Sequence, residues 1–124
     1  MSEHPLLSLI GPHGLLDEPR LEEFRAAEGW SVDRICNELA WLIANQFLAD
    51  QMPYELADTA INWVRGYSLL TESSSLPEPC SEIYLAFDQG EYLHPSEPAD
   101  VDPVETYTRP LLKEIVARGY AARA

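Results

Sequence analysis

Basic residues are what this chain has least of. Only eight Lys and Arg stand against twenty-one Asp and Glu, giving a formal net charge of −13. From Gly66 to Thr108 there is no Lys or Arg in forty-three residues, while nine carboxylates fall in the same stretch. No ion pair of Lys or Arg can therefore form within that stretch. The balance argues against direct binding to nucleic acid, which needs clustered cations to meet phosphates. It argues equally against an anionic membrane surface.

Other scarcities narrow the choices further. No apolar run approaches the ~20 residues that span a bilayer. The opening residues lack the basic start of an export signal, so the expected location is cytoplasmic. Two cysteines, Cys36 and Cys80, are far apart in sequence and form no CxxC motif. A reduced, buried thiol is the expectation for Cys36, which lies within an apolar helical pattern. The three histidines are scattered beside Pro or Gly, which offers no zinc spacing. There is no Gly-rich phosphate loop, no dinucleotide fingerprint and no HExxH. Gly66-Tyr67-Ser68 opens like a nucleophile elbow, but Leu70 occupies the place of its second glycine. No metal, cofactor or catalytic residue is assigned from these patterns.

What is present reads as globular and helical. With 46% hydrophobic residues, the 124-residue chain suits a single domain over 1–124: an irregular N-terminal arm at 1–16 and a helical body at 17–124. Pro5, Gly11, Pro12 and Gly14 break the arm, leaving room for one helical turn at 5–10 and for leucines to dock elsewhere. Asp17 caps and Gly29 stops a first helix. Ser31 opens the longest one, with Ile35, Leu39, Leu42, Ile43 and Phe47 at helical spacing and Cys36 and Ala40 widening the stripe. Pro53 separates it from a third helix, whose inward face is Leu56, Ala57, Ala60, Ile61, Val64 and Tyr67. The short turn at 51–53 makes these two helices antiparallel neighbours.

The stretch 82–93 is open to two readings. As a helix it is capped by Ser81 and closed by Gly90; as a hairpin it turns at Asp88-Gln89-Gly90. The apolar residues do not alternate, which favours the helix. A last helix begins near Asp102 and Glu105 in a capping-box arrangement, is kinked or restarted at Pro110 and ends at Gly119. The fold expected is all-α, a compact bundle of about five helices, with an α+β fold carrying one short hairpin as the alternative.

The acidic stretch Phe87 to Glu105, six carboxylates in nineteen residues, is the candidate functional segment. Asp100-x-Asp102-x-x-Glu105 hints at calcium, but Pro103 intrudes and the loop glycine is missing. Tyrosines interleaved with unpaired carboxylates suit a protein interface, where rings supply area and acids steer a basic partner. Asp88, Glu91, Tyr92, Glu97, Asp100 and Tyr107 are the candidate partner-binding residues. The expected function is a small acidic protein-binding module, of the inhibitor or immunity type, that engages a basic protein. Alternatives are a small enzyme using Glu38, Glu55 or Asp58 in a cleft between helices, and a structural subunit of a larger assembly.

Overall fold

In a computed structural model, residues 5–71, 77–91 and 101–119 are described. The chain is an all-α bundle: α1 is Glu18–Glu28, α2 Val32–Leu48, α3 Tyr54–Thr71, α4 Cys80–Asp88 and α5 Arg109–Arg118. A 3-10 turn, Pro5–Leu9, precedes α1, and a π-helical turn, Val104–Thr108, runs directly into α5. No strand occurs among the described residues, so 82–91 follows the helical reading rather than the hairpin; residues 92–93 lie outside the description.

Local chemistry accounts for most helix ends. The Asp17 carboxylate accepts from the Arg20 N–H at 3.3 Å, and the Ser31 hydroxyl from the Arg34 N–H at 3.1 Å. Gly29 takes the left-handed conformation at φ 70°, and the Trp30 N–H reaches back to the Arg25 carbonyl at 3.1 Å. That is the bonding of a Schellman stop. α2 ends in the same manner, but with Asp50 at φ 59° where glycine is usual. The Gln51 and Asp50 N–H groups donate to the Gln46 and Phe47 carbonyls at 2.8 and 3.0 Å. The helix thus stops at Leu48, ahead of Pro53, which instead launches α3.

α2 is the central element and packs against α3, α4 and α5. Ile35, Cys36, Leu39, Ala40, Ile43 and Phe47 are buried on it, as its periodicity predicts, whereas Leu42 lies at the margin and Ala44 inside. On α3, Ala57, Ala60, Ile61, Val64 and Tyr67 face the core. The small residues let the two helices approach closely. The N-terminal arm docks Leu6, Leu9 and Leu16, and an isolated bridge between Ile10 and Leu16 closes it on itself. Its Gly14 presses on α3: a Cβ there would come within 2.9 Å of the Leu56 carbonyl oxygen. α1 is anchored by fully buried Leu21 and by the Tyr67 hydroxyl donating to Glu22, which also pairs with Arg25 on the same helix at 2.9 Å.

Two helix starts differ from what their local sequence predicts. Ser81 does not cap α4; Asn37 on α2 does, its side-chain oxygen accepting from the Cys80 N–H at 3.0 Å. That cap is contributed across the bundle, so no local pattern reveals it. Glu105 does not complete a capping box either. Asp102 accepts from the Val104 N–H at 3.0 Å, but Glu105 turns to Arg109. Pro110 explains the π-helical turn. In a regular helix its ring would strike the carbonyl four residues back, and it has no N–H to donate. The chain widens ahead of it, and the Arg109 N–H bonds to the Val104 carbonyl five residues away. Cys36 and Cys80 are both buried free thiols.

Candidate functional site

The turn between α2 and α3 faces the π-helical turn across a cleft of about 460 Å³. Phe47, Met52, Tyr54 and Val104 give it an apolar lining. Asp50, Glu55, Asp102 and Glu105 bring carboxylates to it, and Arg109 is its one cation. Arg109 holds Glu105 through Nε at 3.0 Å, reaches Asp50 at 3.6 Å and lies 4.5 Å from the centre of the Phe47 ring. One guanidinium thus answers two of the four carboxylates.

A second acidic group borders the first. Asp58 on α3 meets Asp88 and Glu91 at the end of α4, and the Asn62 amide lies 3.5 Å from oxygens of both Asp58 and Glu91. None of the ion pairs among the described residues involves these three carboxylates. Burial, a hydrogen bond with Glu91 and the charges of Glu91 and Asp88 push the Asp58 carboxyl up to about 7. Asp88 also lies at the C-terminal end of α4, where the helix dipole opposes negative charge. The arrangement is electrostatically unfavourable in the free protein.

Tyr54 joins the two groups. Its ring lines the cleft, and its hydroxyl donates to the Phe87 carbonyl at 2.7 Å. Burial and the charges of Asp58, Glu91, Asp88 and Glu55 all push its phenol upward. Thr108, buried on the π-helical turn, donates to the Ala86 carbonyl at 2.7 Å. Two side chains from elsewhere in the chain therefore cap the last carbonyls of α4. The backbone comes so close that a Cβ on Gly90 would lie 2.4 Å from the Thr108 hydroxyl.

Of the candidate residues, Asp88 and Glu91 belong to this acidic face. Tyr107 is half-buried on the π-helical turn but does not line the cleft. Tyr92, Glu97 and Asp100 lie outside the described residues. Of the alternative carboxylates, Glu55 and Asp58 reach the face, whereas Glu38 does not line the cleft. Asp50 and Arg109 are contributors that the sequence does not single out. The one signal for Asp50 is a polar residue just past the end of a helix. No group of three or more His, Cys, Asp or Glu among the described residues is arranged to hold a metal ion. None of the described helices is long and apolar enough to cross a membrane. No family model, curated protein or solved structure matches the chain, so the functional reading rests on the geometry alone.

Proposed function

We propose that the protein is a small acidic binding module, of the inhibitor or immunity type, that docks a basic segment of another protein on the face built around Tyr54. The observation that carries this reading is the crowding of Asp58, Asp88 and Glu91 with no Lys or Arg paired to them among the described residues. Such a cluster opposes folding, and a cation supplied from outside would relieve it. Asp50 supports the same reading. It is the only non-glycine residue at positive φ among the described residues, and it places a carboxylate at the mouth of the cleft. The apolar lining gives the stem of a Lys or Arg something to lie along. Affinity capture from cell extract tests the reading. The protein should retain a stoichiometric basic partner that the triple variant Glu55→Gln, Asp88→Asn, Glu91→Gln loses. Equal retention by the variant refutes it.

A second reading is favoured by one observation. A half-buried carboxyl titrating near neutrality beside a second carboxylate is suited to general acid–base chemistry, and Asp58 is in that position. The walls of the cleft, however, include Glu55 and Tyr54 rather than Asp58. An enzyme would lose its activity in Asp58→Asn, whereas a binding module would only lose part of its surface charge.

A further inference from the structure

α4 and α5 lie side by side, and on the flank of α5 opposite Arg109 they enclose a groove of about 290 Å³. Its lining is mainly apolar and includes Leu85 and Ala86 from α4 and Leu111 and Ile115 from α5. Leu85 and Leu111 stand 52% and 39% exposed, although both helices bury their other large aliphatic side chains. A leucine from each helix facing one groove is a placement that folding alone does not reward.

The rim is acidic. Glu82 and Glu114 line it, and Arg118 is its one cation. Arg118 is already held by Glu82. Glu78, one turn ahead of Glu82, crowds that carboxylate; burial and contact with Glu82 push the Glu78 carboxyl upward. Three acids therefore share one arginine, and Glu114 forms none of the ion pairs among the described residues. A second copy of this strongly anionic chain is a poor occupant on charge. The two walls have nine and ten residues, so an occupant would lie along about 14 Å, or two to three helical turns.

We infer that the α4–α5 groove docks a short amphipathic helix of a partner, with apolar residues between Leu85 and Leu111 and Lys or Arg residues over Glu78, Glu82 and Glu114. This inference does not rest on the acidic face around Tyr54, which lies on the other flank of α5. The recognition is helix-in-groove: apolar residues at i, i+3 or i+4 provide the contact, and the rim selects the charge of the helix.

The probe is an amidated peptide of about sixteen residues, long enough to hold helix, with Leu on one face and Lys on the other. Its controls are a scrambled peptide of the same composition and a version with Glu for Lys. Titration followed by methyl NMR should move the Leu85, Leu111 and Ile115 signals. Leu85→Ser with Leu111→Ser should weaken binding roughly tenfold or more, the scale of losing one well-buried leucine contact. Both sites are partly exposed, so folding should survive, and circular dichroism checks that it does. Glu78→Gln with Glu114→Gln should weaken binding a few-fold and reduce its salt sensitivity. Equal binding of the scrambled peptide would overturn the inference, because charge alone would then be at work. Equal binding of the Glu-for-Lys peptide would remove the role of the rim. Concentration-dependent dimers that shift the same methyl signals would make a second copy the occupant. Peptide binding abolished by Glu55→Gln, Asp88→Asn, Glu91→Gln but untouched by the leucine pair would sink the groove and leave the acidic face standing.

Discussion

Replacing Asp58 by Asn isolates the cost of the carboxylate cluster. In the fold the Asp58 carboxyl titrates at about 7. An unfolded aspartate titrates near ~3.9, so the folded chain binds this proton more tightly. The resulting stability is fully present below pH ~4 and is lost as pH rises to about 7. The difference sets a ceiling of ~4 kcal/mol, and solvent reaching a half-buried group should reduce it to ~1–2 kcal/mol. Asn keeps the shape and the ability to donate to Glu91 but carries no charge. The variant should therefore match the parent protein near pH 4 and exceed it by ~1–2 kcal/mol at pH 8. Urea denaturation across this range reads the combined change at Asp58 and its neighbours Glu91 and Asp88, since carboxylates away from this cluster titrate alike in both proteins. Parallel stability curves for the two proteins would refute the reasoning and leave Asp58 an ordinary surface acid.

Three further outcomes are expected. Leu39→Ala and Ile43→Ala should each destabilise by ~2–5 kcal/mol, because both side chains are fully buried on α2; losses below ~1 kcal/mol at both sites would mean that the inward face is wrong. Gly90→Ala should cost ~1–3 kcal/mol in chemical denaturation, as its Cβ would lie 2.4 Å from the Thr108 hydroxyl. Asp50→Gly should be neutral or stabilising by up to ~1 kcal/mol, because glycine tolerates φ 59°, the Asp50 carboxylate is 83% exposed and Arg109 keeps its pair with Glu105. The same change should weaken partner binding, and unchanged binding would remove Asp50 from the interface.

The bundle was legible because its signals are local. Asp17, Ser31, Gly29 and Gly119 sit where caps belong, and the stripe on α2 repeats at helical spacing over its whole length. Part of what stayed hidden depends on residues distant in sequence. Asn37 caps α4 from α2, and Tyr54 and Thr108 reach the end of α4 from two other elements. The π-helical turn follows from Pro110, yet the sequence shows only that the helix must adjust there. Charge was legible as composition but not as a place. The sequence drew attention to the run from Phe87 to Glu105, whereas the described acidic face also recruits Asp50, Glu55 and Asp58 from around the α2–α3 turn. Asp102 and Glu105 read as a capping box because their spacing suited one; Asp102 does accept from the Val104 N–H, but Glu105 pairs instead with Arg109, four residues on.

If the acidic face meets a cationic partner, association kinetics should reveal it most directly. Once a partner has been captured, its association rate with the parent protein should be measured from low to high salt, beside Asp88→Asn, Glu91→Gln. Exposed charges are screened over about 8 Å at physiological ionic strength, so steering should fade steeply as salt rises. Association should be fast and salt-sensitive, and the double variant should slow it at low salt while the dissociation rate changes little. An association rate indifferent both to salt and to the loss of these two carboxylates would contradict docking on the acidic face.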